Sequence, residues 1–587
     1  MTIKQPSRLD WAGLGWMFLF FWYFSGVTQL LILLSDSAGF TGFRQSALVS
    51  TLWMIPLILF PARMRWLAAM IGIPLWICSL AGFGYFLVYG QEFSQSVIFI
   101  MFESNQSEAS EYLMQYFAWW MVPLFIGYGL GAWLLWRKLR PVYLPWPKAI
   151  FACLLLFTLS LGYTVTRQLI INADSHRALD KIEDRLEPAT PWQLIVGYHQ
   201  YRQQLSNMQA MLKNKNSVAP VKHLSDARAG LPSTLVLVIG ESTNRQRMSL
   251  YGYPRQTTPN LDRLRNQLDV FDNVVTPRPY TIEALQQILT FADQENPDRY
   301  LTTPSVVNLM KQAGYKTFWI TNQQTMTKRN TMLTTLSQEA DKQVYLNNNR
   351  EQNARQYDDD VLKPFDNVLA DPALRKFVVV HLLGTHMNYQ YRYPPEYEFF
   401  TDRRGVPPNV TDHQLSTYNS YDNAVRFNDQ VVSTLIEHFA ATKPDGFLLY
   451  LSDHGEAVFD PDHPDVLGRS EGAPTAPMYT VPFIIWRSPS WKAHQQLDLA
   501  SMTSRPYSSA HFIHTWANLA GLHFDELDYS KSLVSTQYQV HPLLIGNPEH
   551  PKNLIDFSEI SPGLSQPLAR EKEIAKSARR KTINSHL

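Results

Sequence analysis

The sequence predicts an α/β protein in two parts, a five-helix N-terminal membrane domain followed by an exported α/β sandwich domain. Three observations lead there. Five apolar runs stand in series within the first 170 residues. Basic residues gather in alternate short loops between them. Beyond residue 233, continuous apolar runs of strand length alternate with helical patterns.

The apolar runs cover residues 11–34, 47–60 with flanks, 66–89, 117–136 and 149–165. Each approaches the ~20 residues that a helix needs to cross a bilayer. The first is too long, and lacks the small-residue cleavage site, to be a removable signal peptide. Arg63 and Arg65 follow the second run, and Arg137, Lys138, Arg140 and Lys148 follow the fourth. The loop 91–116 carries Glu92, Glu103, Glu108 and Glu111 and no Lys or Arg, while Arg44 alone counts against the pattern. The positive-inside rule therefore puts the N-terminus in the cytoplasm and everything after the fifth run outside it. The acidic loop mixes apolar and polar residues in the manner of an interfacial segment, either framing a lipid site or simply connecting two spans.

Residues 1–170 thus form the membrane domain, with its interfacial loop near 91–116. Residues 171–232 are a bridging helix, opened at Thr190-Pro191-Trp192, and a linker. Residues 233–558 are the exported domain, and 559–587 a charged tail, solvated or touching anionic headgroups. With 52 Lys+Arg against 51 Asp+Glu, the charge balance offers nothing to a nucleic acid. The 2 cysteines, Cys78 and Cys153, both lie in apolar runs, so the exported domain has no disulfide framework.

In that domain strands are expected at 234–239, 316–320, 377–380 and 446–450, and helices at 306–313 and 417–439. Three of the strands run out into residues able to bind metal: Glu241; His381 and then His386; Asp453 and His454. Open α/β sheets bind ligands beyond the carboxyl ends of their strands, so these groups gather on one edge. Imidazole with carboxylate suits zinc or manganese. Singly, each has a plainer reading: Asp453-His454 as a turn before a freely bending Gly455, Glu241 as a solvated acid, His381 as a hydrogen-bonded core residue. Thr281 falls where a helix should begin, as a cap or as a hydroxyl beside N–H dipoles that favour phosphate. A hydroxyl next to zinc loses its proton more readily and can serve as nucleophile.

Five stretches carry a family likeness: Val238-Ile239-Gly240-Glu241-Ser242, Thr258-Pro259-Asn260-Leu261-Asp262, Gly314-Tyr315-Lys316-Thr317, Tyr421-Asp422-Asn423 and Ser452-Asp453-His454-Gly455-Glu456. Over essentially its whole length the chain resembles the phosphoethanolamine transferases of Gram-negative inner membranes, whose periplasmic domain is of the alkaline phosphatase and sulfatase superfamily. Val88-Tyr89-Gly90-Gln91-Glu92-Phe93-Ser94 and Trp319-Ile320-Thr321-Asn322-Gln323-Gln324 resemble the enterobacterial branch that modifies heptose in the lipopolysaccharide core.

The resemblance implies a multi-pass inner-membrane enzyme with a periplasmic catalytic domain, phosphatidylethanolamine as donor, lipopolysaccharide as acceptor and Zn2+ as cofactor. It implies Glu241, Thr281, Asp453 and His454 as zinc ligands, with Thr281 also the nucleophile. It places His386 and His463 near the substrate phosphate or a second zinc, Lys328 on the phosphate, and Ser104 and Glu108 at the lipid headgroup. Ile100 stands where many members have Asn. The cysteine-free exported domain, and Thr281-Ile282-Glu283-Ala284-Leu285 in place of a Ser-Val-Pro-Cys pattern, favour core heptose over lipid A as acceptor. The rival readings are a glycerophosphate transferase of the lipoteichoic acid synthase type, a sulfatase and a catalytically silent membrane scaffold. A sulfatase needs a Cys/Ser-x-Pro-x-Arg motif, which the region around Thr281 lacks; a scaffold would show a lost ligand.

Overall fold

The computed structural model describes residues 10–35, 40–89, 117–162, 182, 185–213, 220–323, 331–346, 357–495 and 497–561. The interfacial loop with Ser104 and Glu108, Lys328, and the tail from 562 onward lie outside the described residues. The chain divides into two compact units, Met1–Gln204 and Leu205–Leu587.

The first unit is helical. It contains α1 (Trp11–Leu34), α2 (Phe40–Ser50), α3 (Met64–Tyr89), α4 (Met121–Lys138), α5 (Trp146–Phe157) and the start of α6 (Trp192–Lys213). Among the described residues three stretches are long and apolar enough to cross a membrane: Trp11–Leu34, Gly42–Leu59 and Pro61–Val88. At the other two expected places stand the 18-residue α4 and the shorter apolar helix Trp146–Gly162. Asp10 caps α1 by accepting from Gly13 N at 2.9 Å. Inside the bundle, Tyr23 donates to Tyr128 O (2.8 Å) and Tyr128 to Ser79 Oγ (2.8 Å), so that helix contacts also satisfy polar groups. Outward lie Ile73, Ile77, Ile126, Leu130 and Phe151, a surface that suits lipid.

The second unit is built on a mixed sheet of seven described strands. These are β1 (Ser233–Gly240), β2 (Leu268–Val270), β3 (Lys316–Thr321), β4 (Lys342–Tyr345), β5 (Arg375–His381), β6 (Gly446–Ser452) and, after a hairpin of β7 (Ala457–Asp460) and β8 (His463–Gly468), β9 (Phe483–Arg487). Their spatial order is β2-β9-β6-β1-β5-β3-β4. The pairs among β6, β1, β5, β3 and β4 are parallel, and β9 is antiparallel to both of its neighbours.

The central strands are apolar throughout because both faces are covered. Leu235, Leu237 and Ile239 enter one core layer with Phe447, Leu449 and Trp516. Val236 and Val238 enter the other with Tyr450 and the inner face of α10, introduced next. Among its helices are α7 (Thr281–Ile288), α8 (Val306–Gln312), α9 (Leu362–Leu369), α10 (Asp412–Ala441) and α11 (Phe512–Ala520). A buried clamp ties the segment after β1 to α10: Asp422 accepts from Arg247 Nη2 (2.7 Å) and Nε (3.0 Å) with one oxygen, and from Arg255 Nη1 (2.8 Å) with the other. Removing either partner of such a pair leaves a buried charge uncompensated, at a cost of about 3–5 kcal/mol.

Candidate active site

Register brings the site together. Ile239 of β1 pairs with His381 of β5, and Gly240 with Ser452 of β6, so the carboxyl ends of three parallel strands stand level. The residues just beyond them, Glu241, Leu382 and Asp453, meet at one edge of the sheet. Backbone bonds fix the loops: Leu382 N donates to Ile239 O (2.9 Å), Asp453 N to Gly240 O (3.1 Å) and Thr385 N to Glu241 O (3.0 Å). Gly384, at φ +54°, lies so close that a Cβ on it would stand 2.7 Å from Glu241 O. Gly455 is also demanded by close approach, since a Cβ there would overlap the Pro477 carbonyl.

Glu241, Asp453 and His454 are fully buried and offer ligand atoms that all lie within 4.8 Å of one another. His454 Nδ1 faces Gly455 O at 2.8 Å and so carries the proton, which leaves Nε2 with a lone pair that accepts from Arg469 Nη1 at 2.6 Å. That nitrogen lies 3.2 Å from Glu241 Oε1 and 3.3 Å from Asp453 Oδ2. Asp453 Oδ1 accepts from Ser242 N (3.1 Å) and His454 N (2.7 Å), whereas the buried Oδ2 has no hydrogen-bond partner among the described residues. Burial and the adjacent Glu241 carboxylate push the Asp453 carboxyl well above the ordinary carboxylate range. Burial would raise Glu241 too, but its neighbours, of which Arg469 carries a fixed charge, hold it well below that range. Burial and then Arg469 lower the His454 imidazole, keeping it neutral. Two carboxyl groups, one retaining a proton, and a neutral imidazole with its lone pair turned inward are donors that a divalent cation can exchange for that proton.

Thr281 opens α7, whose cap residue Tyr280 makes no side-chain capping bond. The Thr281 hydroxyl donates instead to Glu241, at 3.0 Å from Oε2 and 3.2 Å from Oε1, and stands 3.3 Å from His454 Nε2. His386 is half-buried on the same loop as Gly384; desolvation pushes it down to about 3, and Glu241 counteracts this in part. His463 lies exposed at the start of β8. Among the described residues no hydrogen bond or ion pair links His463 to the cluster. His381 is buried against Trp319, with ring centroids 6.2 Å apart, and among the described residues neither ring nitrogen has a hydrogen-bond partner, contrary to the bonded core residue expected.

Sequence reasoning passed over several groups here. Gln323 Nε2 donates to Glu241 Oε2 (3.0 Å), and Ser242 Oγ to Oε1 (2.8 Å). Arg469 Nη1 reaches within 2.6 Å of His454 Nε2, and its Nε lies 3.2 Å from Glu456 Oε2. Burial pushes Glu456 up to about 7, with Arg469 opposing it. Gln323 and Glu456 sit inside stretches singled out above; nothing in the local pattern marks Arg469.

The Sulfatase family matches residues 233–522. The chain is 51% identical over 566 residues to the phosphoethanolamine transferase EptC of Escherichia coli (strain K12), covering 96% of this chain and 98% of that protein. The crystal structure of the C-terminal periplasmic domain of EptC from Escherichia coli, in complex with Zn, is 53% identical and covers 60% of this chain and 100% of that one, with a TM-score of 0.58. The integral membrane lipooligosaccharide phosphoethanolamine transferase A of Neisseria meningitidis covers 90% of this chain and 99% of its own, with a TM-score of 0.61; at 18% identity this is a likeness of fold.

Proposed function

Because the chain belongs to the phosphoethanolamine transferases, being 51% identical to one over 98% of that protein's length, we propose that it moves phosphoethanolamine from phosphatidylethanolamine to lipopolysaccharide, at a core heptose, through Thr281 and with zinc. The observation that carries this reading is the Thr281 hydroxyl, set at the first turn of α7 and donating to Glu241 3.0 Å away. That relative, matched over nearly its full length, is named for phosphoethanolamine, which favours that group over glycerophosphate.

Glu241, Asp453, His454 and Thr281 would hold the metal. The orphaned Asp453 Oδ2, the inward lone pair of His454 and the mixed oxygen and nitrogen donors fit zinc. Bound there, zinc supplies Lewis acidity, lowering the pKa of a neighbouring hydroxyl and offsetting charge on phosphoryl oxygens. Thr281 Oγ1 forms the new bond to phosphorus while the bond to the diacylglycerol oxygen breaks, and its proton leaves along the hydrogen bond to Glu241. The acceptor hydroxyl then attacks the phosphoethanolamine held on Thr281, giving ping-pong kinetics. His386 or His463 protonates the leaving diacylglycerol oxygen in this scheme. His386, held neutral by desolvation, takes up a proton before it can give one.

By resemblance, Ser104 and Glu108 receive the donor's headgroup and Lys328 its phosphate. The protein is placed in the inner membrane as a five-span chain, divided at residues 170, 232 and 558, with residues 233–558 in the periplasm. Mass spectrometry of lipopolysaccharide from cells with and without the protein, with core fragmented from lipid A, tests the reading. A phosphoethanolamine increment on core heptose is the expected result. The same increment on lipid A alone would move the acceptor, and no increment on either would refute the function.

A further inference from the structure

Arg469 is not a stray side chain at the site; it is moored from two sides. Its Nε faces Glu456 Oε2 at 3.2 Å, and Tyr389 holds the other Glu456 oxygen at 2.8 Å. Two residues on, Glu471 grips Arg278 with both oxygens (2.5 and 3.2 Å), and its backbone N donates to Tyr280 OH at 3.3 Å. Arg278 and Tyr280 belong to the strap that ends in Thr281. The segment bearing the guanidinium and the segment bearing the hydroxyl are thus fastened directly to each other, with both ion-pair members nearly buried.

From this mooring Nη1 points at the reacting groups, 2.6 Å from His454 Nε2, 3.4 Å from Ser242 Oγ and 3.5 Å from Glu241 Oε1. The cluster is rich in acids: Glu241, Asp453 and Glu456 are all fully buried. A phosphodiester brings further negative charge, and among the described residues Arg469 is the cationic side chain within 3.5 Å of His454, Ser242 and Glu241. Its side chain keeps 14% of its surface exposed, while those of Glu241 and His454 keep 1% and 0%, so the approach from solvent runs past the guanidinium. A planar fork of N–H donors matches two oxygens of a phosphoryl group, as an ammonium does not.

We propose that Arg469 is a catalytic residue that clamps the phosphoryl oxygens of the group being transferred, in both half-reactions. It donates hydrogen bonds to the non-bridging oxygens and keeps its own protons, first while the Thr281 Oγ1–P bond forms and the P–O bond to the leaving alcohol breaks, then while the acceptor O–P bond forms and the Thr281 Oγ1–P bond breaks. The assignment rests on the transferase reading only for what is attached to the phosphorus.

The test uses the full-length, zinc-loaded protein and its Arg469→Gln and Arg469→Lys variants, with inorganic phosphate as probe. Phosphate affinity is measured by calorimetry, bound zinc by elemental analysis, and transfer as kcat and KM separately. Loss of a charged hydrogen bond predicts phosphate binding weaker by about 10- to 100-fold in Arg469→Gln, partial recovery in Arg469→Lys, wild-type zinc content, and a fall in kcat that exceeds any rise in KM. Unchanged phosphate affinity overturns the proposal. So does zinc lost from both variants in step with phosphate, since Arg469 would then be holding the ligand cage. A wild-type protein that binds phosphate through Arg469 yet transfers nothing would refute the transferase function and leave the clamp standing.

Discussion

Gly384→Ala is the sharpest test of how the sheet edge aims Glu241. The residue sits at φ +54° with a would-be Cβ at 2.7 Å from Glu241 O, 2.8 Å from Glu241 N and 3.2 Å from Glu241 Cα. All three are backbone atoms, so no side-chain rotation relieves the contact, and the separation is about 0.7 Å short of ordinary packing. An alanine in the left-handed region costs about 1–2 kcal/mol. Forcing a methyl group into a filled space adds about 1–3 kcal/mol. The exported unit should therefore lose about 2–5 kcal/mol, and part of the strain should be relieved by pushing Glu241 away from Asp453 and His454. Displacing a reacting group by about 1 Å costs transfer on the order of 10²-fold. Calorimetric melting, zinc content and the initial rate of phosphoethanolamine transfer are measured together on the full-length variant. A Gly384→Ala protein with wild-type melting, zinc and rate would refute the claim that this close approach sets the position of Glu241.

Thr281→Ala should abolish transfer. Thr281→Ser should keep a reduced rate, since the oxygen remains but the methyl that restricts χ1 is gone; enzyme given donor without acceptor should carry an adduct on the Thr281 peptide, and an adduct on Ser242 or Thr276 would reassign the nucleophile. Burial, then Lys531, pushes His514 down to about 4, and its Nδ1 accepts from Asp528 N at 3.1 Å, so the neutral form is the folded one. Its contribution is complete above the ordinary histidine range near 6.5 and is lost as pH falls through about 4, amounting to about 3 kcal/mol. The difference in melting between wild type and His514→Asn should narrow across that window, and a constant difference would exclude the effect. For topology, a cysteine replacing Arg65 should resist a membrane-impermeant thiol reagent in intact cells while one replacing Asn105 reacts; the reverse pattern would overturn the orientation.

Much of this was legible in the residues because burial on two faces leaves a simple mark. The apolar runs at 234–239 and 446–450 are the central strands β1 and β6, and their level ends put Glu241 beside Asp453 and His454 as the strand-end rule requires. The helix expected at 417–439 begins earlier, at Asp412, because Thr411 and Gln414 form a capping box ahead of the apolar pattern. The antiparallel β9 was missed, since an isolated apolar run says nothing of strand direction. Thr281 was found as a helix start, but whether its hydroxyl capped the helix or faced Glu241 depended on tertiary placement. Arg469 escaped because it lies 15 residues beyond His454 and returns only through the β7–β8 hairpin, whose register shifts between His463 and Leu467.

The clamp of Arg247 and Arg255 on Asp422 bears on how the protein matures. An exported domain is commonly fastened by covalent bridges that must be oxidised, and sometimes reshuffled, before the fold is locked. Here the 2 cysteines sit in apolar helices of the first unit, and the fastening is ionic, complete as soon as α10 docks beside the segment after β1. No thiol oxidation stands between the emerging chain and this fastening, and reductants or a failing oxidase in its compartment leave it untouched.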